Sequence, residues 1–376
     1  MQFEGSRSIL LWIKFGPYHL ARLGTLAGEP NVWGIECSST EEKYGWSPNG
    51  SEPRVITLSP VSYERTGTFS LIVALLKCLN SLKPRVLFIP GYSQPVCLAA
   101  ALWGVVHAAT PVLMSDSTVR DASRSRIKEL AKRLIIRLLF DRGFVSGTRA
   151  RDYLINLGMA ESRICLGYDV VDNNHFETGV QQHRACSSRE DFGLPDHYFL
   201  CVARLSDEKN HEVLLRSFFK YRESKGSWSL VLVGMGANEA TLRKVTDESS
   251  FRDHVLFAGY KSYVDILPYY AFASSLILPS KSEPWGLVLN EAMAAGVPVI
   301  ASDACGACDD LVTDGETGLV FEHCSEEALM QAMLRMSSFP PQDYVRMVIR
   351  GKERVGGYSL DAFRRAFLST VQACTQ

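Results

Sequence analysis

Glu283 and Glu291 stand eight positions apart in SEPWGLVLNEAMAAGVPVIASD, residues 282–303, a mostly apolar run. Ionised carboxylates accept hydrogen bonds and donate none, so they suit ligands rich in hydroxyls. The run SLILPS before them reads as a buried strand, and KSEPWG as a loop. Residues 287–295 read as a helix stopped by Gly296 and Pro298, and VPVIAS as a second strand. This order puts Glu283 in the loop at the carboxyl end of a strand and Glu291 about one turn into the following helix. The start of that helix offers unpaired N–H groups and a positive dipole end to an anion. A nucleoside diphosphate sugar, with hydroxyls on both sides of an anionic centre, fits the set. Glu283 would take the sugar hydroxyls, Glu291 the ribose, and the diphosphate would lie between. The plainer alternative is a loop charge and a solvated helix acid.

Other groups suit the same ligand. VARLSDEKN places Arg204 and Lys209 just after another strand, two cations five positions apart that can clamp a diphosphate. Lys209 lies near a helix start, where the dipole disfavours a cation, and an anionic ligand removes that conflict. LVGMGANEATL sets Gly234 and Gly236 in a tight turn open to a ligand, without the third glycine of a dinucleotide fingerprint. Tyr260 and Lys261, in FAGYKS, are candidates for a base pocket or for an ordinary surface turn. In the N-terminal half, FGPYHLARL puts Gly16, Tyr18 and His19 at the end of the first strand. LMSDSTVRD puts Asp116, with Ser115 and Ser117, at the end of another.

The elements that must position these groups alternate along the chain. SILLWIKF, RVITLS, RVLFIPG, PVLMSDS and GFVSG read as strands, with helices in FSLIVALLKCLNSL, VCLAAALWGVVHAA, RIKELAKRLIIRLLF and TRARDYLINLGM. Residues 177–192, TGVQQHRACSSREDFG, are polar and poorly periodic and read as a linker. A second alternation follows, with strands in YFLCVARL, WSLVLVGMG, HVLFAGY, SSLILPS and VPVIASD. Asn210 is the expected cap of the helix in NHEVLLRSFFKYRES. The expected division is an N-terminal domain over 1–176, the linker, a C-terminal domain over 193–345 and a helical segment over 346–376. Two doubly wound α/β domains of similar size place a binding site in the cleft between them.

The bulk numbers are those of a globular chain: 376 residues, 46% hydrophobic, 22% charged, net charge −1. Near-neutral charge gives no sign of a nucleic-acid partner. The longest apolar runs fall below the ~20 residues of a membrane span. The start, MQFEGSRSILLWIKFG, carries Glu4 ahead of a short apolar run broken by Lys14, unlike a signal peptide, so a cytoplasmic chain is expected. Ten cysteines are too sparse for a disulfide framework. Cys305 and Cys308 form a single C-x-x-C with no second pair, which reads as buried thiols rather than a metal site. Asn49 heads a glycosylation sequon, NGS, that a cytoplasmic chain would not use. Residues 120–151 hold ten Arg and Lys against three acids, interleaved with Ile and Leu. That pattern suits an anionic membrane surface or an ordinary charged helix face.

Taken together, EPWGLVLNEAMAAGVPVIAS, VARLSDEKN, LVGMG and DLVTDGETGLVF resemble the large retaining family four of glycosyltransferases, glycosyltransferases group 1. The resemblance covers about residues 195–335 closely, and SGTRARDYLINLGMAESRICLGYDVVDNNHF is similar to the end of that family's first domain. It implies the GT-B fold, two Rossmann-like domains facing a central cleft with a C-terminal helix returning to the first. It implies transfer of a sugar from a nucleotide donor to a glycan, lipid-linked or small-molecule acceptor in cell-surface glycoconjugate synthesis, with retention and with no cofactor or catalytic metal. By the same resemblance Arg204, Lys209 and Glu283 would be catalytic. Gly16, Gly234, Gly236, Tyr260, Lys261, Pro284, Trp285, Gly286, Leu287, Val288 and Glu291 would bind the donor. Ser115-Asp116-Ser117 stands where many relatives carry a histidine, and Gly16 is followed by Pro17-Tyr18-His19 instead of a second glycine. Tyr18, His19 and Asp116 are therefore assigned to the acceptor. A nucleotide-sugar epimerase of the same architecture and a non-catalytic sugar-nucleotide-binding protein are the alternatives.

Overall fold

A computed structural model describes residues 7–40, 53–120 and 125–375; Asn49 of the sequon lies outside them. The described chain forms two compact units. One takes residues up to Ser117, those from 125 to Val170, and the run from Leu360 onward. The other takes residues 118–120 and Val171–Ser359.

The first unit runs β1 (Ser8–Trp12), α1 (Pro17–Gly24), β2 (Val32–Glu36), β3 (Val55–Thr57), α2 (Thr68–Leu82), β4 (Val86–Pro90) and α3 (Pro95–Val106). It continues with β5 (Thr110–Ser115), α4 (Arg126–Leu139), β6 (Arg142–Val145), α5 (Thr148–Asn156) and β7 (Ile164–Leu166). All seven strands are parallel, in the order β3-β2-β1-β4-β5-β6-β7. Every residue of β1 is buried, as in a sheet with helices on both faces. α2 contributes Leu71, Leu75 and Leu79, one face at four-residue spacing.

The second unit runs α6 (Asn173–Cys186), β8 (Tyr198–Val202), α7 (His211–Glu223), β9 (Ser229–Val233), α8 (Glu239–Asp247), β10 (Val255–Gly259) and α9 (Leu267–Phe272). It continues with β11 (Ser275–Leu278), α10 (Leu287–Ala294), β12 (Val299–Ser302), α11 (Cys308–Leu311), β13 (Gly318–Phe321), α12 (Glu326–Ser337) and α13 (Pro341–Gly356). Its six strands are parallel, in the order β10-β9-β8-β11-β12-β13. The chain winds outward from β8 in one direction and from β11 in the other, so the order reverses between them. Apolar side chains of α7 and α12 close one face of the sheet.

The stretch 177–192 is not a linker. Most of it is α6, which packs on α9 within the second unit. Phe176 and Val180 are its buried residues, and Gly179 leaves room for Leu267. The helix is polar elsewhere, so its sequence shows little of the 3.6-residue period. Residues 346–376 are not one segment either: α13 stays in the second unit, while the last helix, α14 (Leu360–Thr375), belongs to the first. There the Phe367 ring stacks on Phe88 at 4.4 Å and Phe363 lies 5.6 Å from Phe144.

Candidate active site

In a doubly wound sheet, ligands bind at the carboxyl ends of the strands where the strand order reverses. In the second unit that point lies between β8 and β11, and the loops after these two strands carry the candidate residues. Arg204 follows β8, and Lys209 ends a 3₁₀ turn, Asp207–Lys209, before α7. Glu283 lies in the loop between β11 and α10. The Lys209 ammonium donates to Glu283 Oε2, and both side chains are mostly buried. Ser280 Oγ donates to the same oxygen at 3.0 Å. Arg204 Nη2 bonds Glu208 Oε1 at 2.8 Å. Burial raises the Glu208 carboxyl, but hydrogen bonds from its own backbone and Ser206, with the charges of Arg204 and Lys209, carry it below its usual value.

Asn210 occupies the N-cap of α7 in left-handed backbone, φ 58°, yet its side chain does not cap; the amide donates to Pro279 O at 3.3 Å instead. That bond and the one from Lys281 N–H to Glu208 O, 3.0 Å, tie the β8 and β11 loops together. Directly after Asn210, His211 is buried, with Nε2 3.7 Å from Cys201 Sγ. Burial, and then the Lys209 charge, push the imidazole down to about 4, so it is neutral at ordinary pH.

The helix after Glu283 is held by special backbone. Gly286, the N-cap of α10, has φ 103°, and a Cβ there would stand 2.9 Å from Leu278. A side chain would be strained in that conformation. Leu287 and Val288, half-buried, open the helix. Pro284 is half-buried and its carbonyl faces Gly306, where a Cβ would sit 1.8 Å from the oxygen. Gly306 N–H donates to Glu283 O at 2.9 Å and Ala307 N–H to Trp285 O at 3.0 Å. The C-x-x-C stretch therefore backs the Glu283 loop. Cys305 and Cys308 are buried thiols not joined in a disulfide, and burial raises Cys305 well above its usual value. Among the described residues no group of three or more His, Cys, Asp or Glu is placed to hold a metal ion.

The other expected donor groups differ in their surroundings. Trp285 is 2% exposed, its Nε1 donating to Asn290 Oδ1 at 3.0 Å, and it braces the loop from inside. Gly234 and Gly236 face protein backbone: a Cβ at Gly234 would meet Ala203 O at 1.9 Å, and one at Gly236 would meet Leu205 O at 2.4 Å. The glycines let the β9 loop lie against residues 203–205, so their contribution is to fix the Arg204 loop. Glu291 is also 2% exposed and accepts from Tyr270 Oη at 2.7 Å. Tyr260 is exposed, and the Lys261 ammonium lies 5.2 Å from the Tyr269 ring centre. Ser280, Glu208, Tyr270 and Gly306 were not singled out from sequence. Only Ser280, a hydroxyl at a strand end three residues before Glu283, carried a local signal.

In the first unit the order reverses between β1 and β4, and Gly16, Tyr18 and His19 lie at that end of β1. Gly16 has φ −84°, a conformation open to any residue, and its N–H donates to His19 Nδ1 at 3.1 Å. His19 stacks on Trp12 at 4.5 Å; burial, and next the charge of Arg22, hold its imidazole well below the usual value. Nδ1 accepts, so the ring is neutral with its proton on Nε2. Tyr18 and Asp116 are half-buried, Asp116 directly after β5.

Two parallel α/β units, one with a cation–carboxylate pair at its switch point, define a two-domain, doubly wound α/β class of protein. Residues 187–354, within the second unit, match the family model described as glycosyl transferases group 1. The chain is 31% identical over 144 residues to a GDP-mannose-dependent alpha-(1-6)-phosphatidylinositol monomannoside mannosyltransferase of Mycobacterium tuberculosis. That match covers 36% of this chain and spans 37% of the relative. The fold matches a glycosyltransferase from Rickettsia africae with a TM-score of 0.76 at 13% identity, over 99% of each chain. It also matches an Anabaena protein solved with UDP and glucose, TM-score 0.75 at 15% identity, over 98% of this chain and 99% of that one. These likenesses establish the GT-B type of two-domain fold.

Proposed function

We propose that the protein is a retaining glycosyltransferase that moves a sugar from a nucleoside diphosphate to a glycan or lipid-linked acceptor, working from the cytoplasm. The observation that carries this reading is the Lys209–Glu283 pair joining the β8 and β11 loops at the switch point of the second sheet. The mycobacterial relative, named for a nucleotide-sugar donor and a phosphatidylinositol-linked acceptor, supports the substrate class.

In this reading the diphosphate lies between Lys209, Arg204 and the first N–H groups of α10, at Gly286, Leu287 and Val288. Both bonds to Glu283 use Oε2, and Oε1 takes a sugar hydroxyl. Glu291, held by Tyr270, takes the ribose. The bond from the anomeric carbon to the diphosphate breaks, and the acceptor oxygen bonds on the same face. The acceptor's proton passes to the departing diphosphate oxygen. The two cations and the helix dipole neutralise the charge that develops on the leaving group, so transfer proceeds without a metal.

Thermal unfolding with UDP, GDP, ADP and TDP in EDTA tests the reading. A ligand at 100 times its Kd adds about 2.7 kcal/mol. One nucleotide should raise Tm, and Glu291→Gln should weaken that shift. No shift with any of the four removes the diphosphate site.

A further inference from the structure

α4 is amphipathic, but its apolar stripe faces the wrong way for a core helix. Ile136 is its buried residue, with Ile135 and Leu139 partly buried against the unit's core. On the outer side Ile127, Leu130, Leu134 and Leu138 are 80, 68, 60 and 63% exposed. At 100° per residue these four cluster around the direction opposite Ile136. Single exposed apolar residues are ordinary on a soluble protein; a stripe three turns long is not.

The helix is fastened to its unit by polar groups. Tyr153 Oη of α5 donates to Glu129 at 3.1 Å and accepts from Lys132 Nζ at 3.0 Å, and Lys132 also bonds Glu129 at 2.9 Å. The inner face is thus satisfied without the four outer side chains. Val105, at the end of α3, shares a surface depression with Leu138 and extends the apolar surface beyond the helix. Exposed Lys128 flanks the stripe on one side and exposed Arg133 and Arg137 on the other. None of these three has an acidic ion-pair partner among the described residues.

We infer that the outer face of α4 docks on an anionic lipid surface, with Ile127, Leu130, Leu134 and Leu138 inserted among the acyl chains and the flanking cations at the headgroups. The charge pattern selects this occupant: lipid headgroups supply the anions that Lys128, Arg133 and Arg137 need, whereas a second copy would bring the same cations together. The inference deepens the reading of a lipid-linked acceptor by naming the surface where that acceptor is met. Its evidence is the helix alone, so its test reads binding and not turnover.

The experiment is co-sedimentation of the full chain with phosphatidylcholine vesicles, with and without phosphatidylglycerol, over a salt series. The protein should pellet with the anionic vesicles. Leu130→Glu with Leu134→Glu should lower the partition coefficient at least tenfold, and circular dichroism should show the fold kept, because both side chains face solvent. Arg133→Gln and Arg137→Gln should each cost about fivefold at low salt. Equal binding by the Leu130→Glu/Leu134→Glu variant overturns the inference, as does wild-type protein that stays in the supernatant. A dimer in sedimentation that this variant dissociates also overturns it, by giving the face to a second copy. Vesicle binding without transfer to any acceptor supports the inference and counts against the transferase reading alone.

Discussion

Lys209 and Glu283 are each other's counter-charge as well as the proposed ligand groups, so removing either has two effects. Lys209→Ala should lower kcat by roughly 10²-fold or more through the lost leaving-group charge. It should also cost about 2 kcal/mol of stability, because a mostly buried carboxylate loses its charged donor. Stability from urea unfolding and turnover measured side by side separate the two; unchanged turnover takes Lys209 out of the mechanism. His211, beneath this pair, sets a pH dependence. Its imidazole titrates near 4 in the folded chain and near its usual value of 6.5 when unfolded. The unfolded chain therefore binds the extra proton between those values. Stability is whole above about pH 6.5 and is lost as pH falls toward 4, by about 2 kcal/mol at pH 5. Urea unfolding at pH 7.5 and pH 5 should show the loss, and His211→Asn should flatten it; an equal slope in the variant would assign the loss to other groups.

The loops around the pair are shaped by glycines whose Cβ positions are filled by backbone, and this makes their effect local. In Gly306→Ala the new methyl would meet Pro284 O at 1.8 Å, so the Glu283 loop has to move. The expected result is a loss of about 2 kcal/mol, as for other overpacked sites, together with weaker nucleotide binding. Gly67→Ala, with open space at its Cβ, should leave both within error. Equal losses at the two positions would show that Gly306 is not a packing constraint. Such contacts mark where the sequence stopped being legible. Apolar runs such as SILLW, SLVLV and SLIL are fully buried strands, and they were readable because both faces of a parallel sheet are covered. Glu283, Lys209 and Arg204 stood out in sequence as charges near strand ends, and the structure sets all three in the loops after β8 and β11. What Gly234, Gly236 and Trp285 touch was not, since a glycine approached by a ligand and one approached by a distant carbonyl look alike in sequence. The outward stripe of α4 was hidden for a related reason: spacing shows that a helix has an apolar face, not which way it points.

At the scale of the molecule, the last helix is the segment whose place the chain order conceals. Leu360–Thr375 completes the first unit although nearly the whole second unit precedes it, so the first unit's core is not made only of neighbouring sequence. Phe363 and Phe367 are fully buried against Phe88 and Phe144, and Arg142 Nη2 bonds Ala373 O at 2.8 Å. Ending the chain after Ser359 removes both rings and uncovers the side of the sheet they seal. Large aromatic truncations in a core cost about 3–5 kcal/mol each, comparable to the ~5–15 kcal/mol that holds a domain folded. The truncated chain should therefore lose the first unit while the second keeps its own core between α7 and α12. Limited proteolysis should show cuts confined to residues before Val171, and the nucleotide that stabilises the full chain should still bind the protected remainder. Protection of the first unit in the truncated chain would show that α14 covers its core without holding it together. Loss of both units at once would show that they fold as one cooperative body.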